Sequence, residues 1–372
     1  MPLNIIKCHL FVKNVRENRK FFLFLKLIWG RVHLRYEPMT TKMYENMTKI
    51  YTNAELTELF ERHLAQLALP DDPAMLYAPI RYALAEGGKR MRPILTLMAY
   101  NLFADDVQRA MPAAMAVEIF HNFTLLHDDI MDNAEWRRGR KSVYAKWGNN
   151  VAILSGDAML IEAYRHLQGI SAERLPQVLE YFSAMAAQVC EGQQYDMDFE
   201  TREKVSVTDY TQMIELKTAA LLSGSVCIGA TIAGASEEDV RKLYRAATEV
   251  GLAFQLQDDL LDSYGDERLG KKIGGDILEG KKTYLMITAM SRADEQQREV
   301  LRSTHLRDDI SDEEKISTIK RLYDELDVPA MTEQQIAVRI ARATAVLDTL
   351  DVPAERTTVL RHYFESLVGR NK

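Results

Sequence analysis

Two groups of three aspartates have the residue type and spacing to do chemistry in this sequence. The first lies in FTLLHDDIMD and the second in FQLQDDLLD, and their members are Asp128, Asp129, Asp132, Asp258, Asp259 and Asp262. In each group the first and last aspartates are four residues apart, so a helix places them on one face. Carboxylates at that spacing repel one another and are costly to bury in apolar sequence without a nearby cation. The two groups therefore predict bound cations.

Magnesium is the cation that suits these groups best. Carboxylate oxygens are hard ligands, and Mg²⁺ keeps several waters while sharing one or two carboxylates with a substrate phosphate. An EF-hand needs a calcium loop of about twelve residues with alternating ligands, which neither group has. One group alone would be read as a solvated acidic helix face, but Leu, Ile and Phe closely flank both groups. We expect several magnesium ions around one diphosphate, between facing helices.

Basic residues occur where a diphosphate needs partners. They lie in GGKRMRP (87–93), in RRGR after the first aspartates, in LKTA and in GKKIGGDILEGKKT (270–283). In the first of these motifs two glycines precede a proline that can open a helix, and helix starts favour anions. A single lysine is most often a surface charge. The recurrence of basic residues beside Gly, Thr and Asp instead predicts ligands of discrete phosphates.

The elements that position these residues are predicted to be helices. The chain has 372 residues with only 18 Gly and 10 Pro, so turn-forming residues are scarce. Met115, Ile119, Phe123, Leu126 and Ile130 form one helical stripe. Further helices are predicted at 151–168, 174–199, 207–234, 237–264 and 279–292. Strand-like alternation is nearly absent, so we read 43–372 as one all-α domain.

Charge and cysteine content restrict the partners and the compartment. Residues 1–42 contribute a net charge of +7, which leaves −14 for the other 330 residues of a chain whose total is −7. An acidic body argues against a nucleic-acid partner. Cys8, Cys190 and Cys227 lack metal-ligand spacing. They are therefore read as reduced thiols of a cytoplasmic protein.

The basic segment 1–42 is predicted to be a leader outside the folded domain. Its apolar run FFLFLKLIW (21–29) is too short to span a bilayer and contains Lys26, so no stable membrane span is expected. The leader is either disordered or not part of the native protein, in which case the chain starts at Met43 or Met47. A basic anchor on a membrane surface is the alternative.

The motifs together resemble one known family. GGKRMRP, HNFTLLHDDIMD with RRGR, LKTA, FQLQDDLLD and GKKIGGDILEGKKT occur in the order and spacing of the trans-isoprenyl diphosphate synthases, the polyprenyl synthetase family, of the geranylgeranyl and farnesyl diphosphate synthase type. The resemblance covers about 76–285. It implies an all-α isoprenoid synthase-type bundle of long helices around a central apolar cavity, dependence on Mg²⁺ and a homodimer.

The resemblance also implies a role for individual residues. Asp128, Asp132 and Asp258 would bind magnesium, and the catalytic set would comprise all six aspartates and Lys217. The allylic diphosphate would be held at Arg137, Lys217, Lys271 and Lys281, with Thr218 and Gln255 lining the reaction centre. Lys272 is an alternative to the adjacent Lys271. The isopentenyl diphosphate pocket would comprise Lys89, Arg92, His121 and Arg138.

The implied reaction joins isopentenyl diphosphate to an allylic diphosphate and yields a short all-trans prenyl diphosphate. The resemblance also implies a chain-length residue: in the family, an aromatic residue five positions before the first aspartate motif is expected to form the floor of the cavity and stop growth of the prenyl chain at geranylgeranyl size. Phe123 has that position and Thr124 lies beside it. Helix geometry turns Phe123 about 140° away from Asp128, so plain core packing remains an alternative. Farnesyl or longer products also remain open.

Three other functions fit part of the pattern. A class I terpene cyclase would share the fold and the first aspartate group, but it typically carries an Asn/Ser/Glu-type second metal motif. A non-catalytic partner subunit would usually lose aspartates that this chain retains. A structural acidic helical protein leaves the ordered basic motifs unexplained.

Overall fold

The computed structural model describes residues 49–265 and 273–368, where nearly all regular structure is helical. The predicted leader 1–42, Lys271 and Lys272 lie outside the described residues. The helices in chain order are α1 (Asn53–Leu64), α2 (Ala74–Leu84), α3 (Met91–Phe103), α4 (Met111–Met131), α5 (Val143–Trp147), α6 (Asn149–Leu167), α7 (Leu175–Thr201), α8 (Val207–Ile214), α9 (Ala220–Ala233), α10 (Glu237–Tyr264), α11 (Gly275–Leu278), α12 (Tyr284–Arg292), α13 (Glu295–Ser303), α14 (Asp312–Glu325), α15 (Val328–Leu347) and α16 (Ala354–Val368).

Short elements complete the regular structure of these residues. A π turn (Glu215–Ala219) joins α8 to α9, and 3₁₀ turns lie at Val107–Ala110 and Thr304–Leu306. The antiparallel hairpin of β1 (Trp136–Arg137) and β2 (Arg140–Lys141) pairs Trp136 with Lys141. The prediction of an all-α fold is confirmed.

Local sequence sets the helix ends. The helix predicted at 237–264 is observed with those bounds, and the Ser236 side chain caps it by accepting from the Asp239 N–H. The prediction of a helix at 279–292 was wrong at its first residue, because α12 begins only at Tyr284. Gly280 adopts φ 65°, a left-handed conformation that ends the preceding turn. Thr283 then caps α12 by accepting from the Met286 N–H.

Helix α9 lies at the centre of the bundle. It packs against α3, α7 and α10, and also contacts α4. The stretch Val207–Ala233 is long and apolar enough to cross a membrane by length and composition alone, but 72% of its most apolar window is buried inside the protein. Among the described residues this is the only such stretch, and its burial is that of a core helix. The two helices that carry the aspartates, α4 and α10, therefore share α9 as a neighbour.

Candidate active site

A cavity of about 300 Å³ lies between α4, α7 and the π turn. The predicted site residues that line it are Arg92, His121, Phe123, Thr124, Asp128, Lys217 and Thr218. These residues come from three separate stretches of the sequence. The fold therefore collects predicted ligands of both diphosphates and the predicted floor around one space.

The first aspartate group divides into two environments at the end of α4. The Asp128 Oδ2 atom lies 3.6 Å from Arg137 Nη2, and its Oδ1 atom lies 3.6 Å from Lys217 Nζ. Asp129 is buried and accepts from Arg137 Nε at 2.6 Å, and burial raises the pKa of its carboxyl to about 6. Burial, followed by the charge of Asp128, also raises the pKa of Asp132. Asp128 thus lines the cavity, while Asp129 orients Arg137 from behind.

The π turn brings Lys217 and Thr218 to the cavity. A π turn adds a residue to a helix and is frequent at functional sites. Gly192 of α7 packs directly against it, since a Cβ there would lie 2.2 Å from the Lys217 backbone nitrogen. This close approach lets Lys217 Nζ donate to Asp196 Oδ2 on α7 at 2.6 Å.

Asp196 is a site residue that the sequence interpretation missed. Besides Lys217, it has Lys281 Nζ 3.9 Å from its Oδ2 atom. Burial lowers the pKa of Lys281, but the charges of Asp196 and Asp276 outweigh burial and raise it overall. The available signal was GQQYD, in which a carboxylate follows one turn after the glycine that α7 needs for close packing.

The second aspartate group lies on α10. Asp258 is half-buried, and its charge acts on Arg92 across the site. Asp259 is buried, and burial raises its pKa to about 7. Asp262 accepts from the Asp276 N–H at 3.0 Å and so holds the start of α11. After the larger effects of Asp196 and Asp276, the charges of Asp259 and Asp132, one from each group, also raise the pKa of Lys281. A catalytic role for Asp129, Asp259 and Asp262 stays a prediction, and their contacts favour a positioning role.

Four cationic or titratable residues gather at the start of α3. Arg92 Nη1 lies 3.0 Å from His121 Nε2, and Arg138 donates to the Gly87 carbonyl in the loop that carries Lys89. Burial lowers the pKa of Arg92 to about 10. Burial, then the charges of Arg92 and Arg138, hold the pKa of His121 well below 6.5. Such mutual repulsion among cations is relieved by a bound anion.

Two neighbouring basic residues have structural partners instead. Arg90 is buried and forms ion pairs with Glu61 at 2.8 Å and Glu118 at 2.7 Å. Lys282 donates to the Phe199 carbonyl at 2.7 Å, at the end of α7, where a cation is favourable. The motifs GGKRMRP and GKKT therefore each contain one structural cation beside a predicted phosphate ligand.

The donor set fits magnesium. Within residues 49–265 and 273–368, no three His, Cys, Asp or Glu side chains converge closely enough to hold a metal ion by themselves. Mg²⁺ does not need that, because it keeps several waters and shares one or two carboxylates with substrate phosphates. Asp128 and Asp258 offer hard oxygen donors. Burial, and then the charge of Asp128, raise the pKa of Asp132, and a divalent cation beside these carboxylates would favour their charged forms.

Phe123, which lines the cavity, packs against other aromatic rings. The Phe123 ring centroid lies 4.7 Å from that of His127 and 5.5 Å from that of Phe120. Phe120 in turn packs edge-on against Phe182 of α7 at 5.4 Å. Phe123 therefore faces the cavity and rests on further rings, despite its angle from Asp128 along the helix.

An all-α bundle in which α4 and α10 carry the two groups of aspartates, with Asp128, Arg92 and Lys217 lining a cavity, is the arrangement of an isoprenoid synthase-type enzyme, and the comparisons with known proteins agree. The family profile described as Polyprenyl synthetase matches residues 73–326. The chain is 43% identical over 246 residues to the short chain isoprenyl diphosphate synthase of Methanocaldococcus jannaschii, covering 66% of this chain and 75% of the relative. It is 44% identical over 223 residues to the geranylgeranyl diphosphate synthase of Saccharolobus solfataricus, covering 59% and 67%.

A solved structure of a geranylgeranyl pyrophosphate synthase matches with a TM-score of 0.83 and 40% identity, covering 87% of this chain and 100% of that one. The chain belongs to the polyprenyl synthetase family. The predictions of the family, of the isoprenoid synthase-type fold and of a prenyltransferase enzyme are confirmed.

Proposed function

We propose that this protein is a magnesium-dependent trans-prenyltransferase that condenses isopentenyl diphosphate with an allylic diphosphate to give geranylgeranyl diphosphate. The observation that carries the proposal is the charge pattern around one cavity. Asp128 and Lys217 line the cavity together with Arg92 and His121. The charges of Arg138 and of Asp258 on α10 act on Arg92. The side with Asp128 and Lys217 suits a metal-bound diphosphate, and the side with Arg92 and His121 suits a diphosphate bound without a metal.

The allylic diphosphate is assigned to the side of the aspartates. Magnesium, when bound, neutralises charge that develops on the departing diphosphate. Arg137 and Lys217 carry fixed positive charge toward the same group, and Asp129 and Asp196 hold these two cations in place. Cations aimed at developing charge stabilise the transition state without having to reorganise. Lys281 is assigned the same role. Lys271 or Lys272 remains an expectation from the family motif.

Isopentenyl diphosphate is assigned to Lys89, Arg92, His121 and Arg138. After the allylic carbon has lost the diphosphate oxygen, the double bond of isopentenyl diphosphate attacks the resulting cation, and the departed diphosphate then takes a proton from the new chain. No side-chain nucleophile is needed for this step. The apolar walls of the cavity exclude water that would otherwise capture the allylic cation. His121 is neutral near pH 7, so it can accept from Arg92 and help fix its orientation.

Geranylgeranyl size is proposed from the floor at Phe123. The ring lines the cavity beside Thr124 and rests on Phe120 and His127. The names of relatives at about forty per cent identity support the same product. Farnesyl diphosphate or a longer chain is the alternative product. A terpene cyclase or a non-catalytic subunit is less consistent with two complete aspartate groups.

A homodimer is proposed from the surface of α6. This helix has four exposed apolar or aromatic side chains, Ile153, Leu154, Ile161 and Tyr164. Their spacing places them within an arc of about 100° around the helix axis, on one face. An exposed apolar stripe of that kind is typical of an interface with another protein. Sedimentation analysis of the purified protein tests this. A cytoplasmic location and the lack of a nucleic-acid partner stay predictions.

The decisive experiment incubates the purified protein with isopentenyl diphosphate, Mg²⁺ and each allylic primer, and sizes the products by chromatography. We expect a twenty-carbon prenyl diphosphate. A folded protein that makes no prenyl diphosphate with any primer refutes the prenyltransferase. A hydrocarbon released without isopentenyl diphosphate would identify a cyclase, and a product of another length would correct the chain length alone.

A further inference from the structure

Asp259 is the middle member of the second aspartate group. Its carboxylate is hydrogen-bonded to other parts of the protein and does not line the cavity. Its carboxylate accepts three hydrogen bonds from three elements. Tyr210 Oη of α8 donates at 2.5 Å, Gln255 Nε2 of α10 at 3.1 Å and the Tyr284 N–H of α12 at 3.2 Å. Asp259 and Tyr210 are both buried. A buried carboxylate with three fixed donors is held in one orientation.

The hydrogen bonds continue from Asp259 to the cavity. Gln255 Nε2 donates to Asp259 Oδ1, so the NH₂ group of this amide faces Asp259. Its carbonyl oxygen Oε1 then faces the π turn, where the Thr218 hydroxyl donates to it at 2.9 Å. A hydroxyl has one hydrogen and two lone pairs. With that hydrogen committed to Gln255, the oxygen of Thr218 can present only lone pairs to the cavity that this residue lines.

We propose that Tyr210 and Asp259 are positioning residues that set the polarity of Thr218 at the reaction centre. The inference rests on the proposed function. When the carbon–oxygen bond of the allylic diphosphate breaks, its electron pair leaves with the diphosphate and the carbon becomes positive. Oxygen lone pairs aimed at that carbon stabilise it, whereas a hydroxyl hydrogen aimed at it would destabilise it. The network moves no proton and only fixes a dipole.

Tyr210→Phe tests the proposal, because it removes one donor and keeps the ring. Without that donor Asp259 can turn, and the Gln255 amide is no longer held in one orientation. We expect kcat to fall by about tenfold. KM for both substrates and the Mg²⁺ concentration for half-maximal rate should stay within about twofold, since no ligand of a diphosphate or a metal is altered. An unchanged kcat, or a large shift in the Mg²⁺ requirement instead, overturns the proposal.

A double-mutant cycle with Thr218→Val gives the sharper test. If Tyr210 acts through Thr218, the double variant should be no slower than the slower single variant, whereas independent effects multiply. Thr218→Ser, which keeps the hydroxyl, should retain most of the activity. Multiplying effects in the cycle overturn the proposal. If Tyr210→Phe does not fold, Asp259→Asn takes its place in the same cycle.

Tyr264→Phe is the matched control. Tyr264 lies on the same helix as Asp259, and its hydroxyl donates to Asp324 at 2.8 Å. This variant loses a tyrosine–carboxylate hydrogen bond outside the network, so its kcat should match that of the wild type. An equal fall in kcat would show that the effect is general and overturn the proposal. A wild-type protein that makes no prenyl diphosphate would refute the proposed function, whereas an active wild type with unaffected variants would refute only this inference.

Discussion

Replacing Phe123 by alanine should lengthen the product by one isoprene unit. The substitution removes a six-carbon ring from the floor of the cavity, which is room for one five-carbon unit. The next ring, Phe120, lies three residues earlier on α4, or about 4.5 Å further along the helix axis. One isoprene unit adds four bonds of about 1.5 Å each, and because these bonds zigzag the extended chain lengthens by about 5 Å. Growth should therefore stop again at the layer of Phe120 and Phe182.

The same substitution should cost little stability. Phe→Ala in a core costs about 3–5 kcal/mol, but Phe123 is only half-buried and faces a cavity that already exists. We expect a loss of about 2 kcal/mol, or a fall in Tm of about 2–4 °C for a folded body of this size. A rate close to that of the wild type is expected, because no diphosphate ligand changes.

The assay sizes the products of Phe123→Ala by chromatography after removal of the diphosphate, beside a thermal melt. Phe60→Leu is the control, because Phe60 is fully buried on α1 outside the cavity. The control should lower Tm without changing the product. An unchanged product from a destabilised Phe123→Ala protein would refute the hypothesis that Phe123 limits chain length. Phe123 would then be a residue that only packs in the core. The same result would also remove the structural reason for preferring geranylgeranyl diphosphate.

Three further outcomes are expected. Asp128→Ala should lower kcat by about a thousandfold with its thermal melt nearly unchanged. The control Asp198→Ala, at an exposed position, should keep full activity. Full activity of Asp128→Ala, or of the wild type in EDTA, would contradict magnesium catalysis. A chain that starts at Met43 should retain the full rate, because every motif lies downstream, and loss of rate in a folded protein would assign a role to the leader. The folded-state pKa of His121 is depressed, so its contribution to stability is present above pH 6.5 and lost as the pH falls. Urea unfolding at pH 7, 6 and 5 should therefore show a shallower decline for His121→Gln, and parallel declines would contradict this.

Much of this protein could be predicted from its sequence, because the informative patterns are local. Four-residue spacing of aspartates on an apolar helix depends only on helix geometry and on the cost of burying charge. The scarcity of Gly and Pro likewise favours long helices whatever the rest of the fold does. These features predicted an all-α fold and bound cations, and the resemblance of the ordered motifs to a known family predicted the polyprenyl synthetase family.

The tertiary structure decided which of several equivalent residues faces the cavity. Adjacent aspartates look alike in sequence, yet Asp128 lines the cavity while Asp129 is buried behind it. Arg90 and Arg92 also look alike in sequence, yet Arg90 is buried in ion pairs with glutamates while Arg92 lines the cavity. The role of Asp196 became visible only where Gly192 lets α7 touch the π turn. The reason is physical: burial and hydrogen-bond partners depend on helices that are distant in the chain, and the spacing within one helix does not encode them.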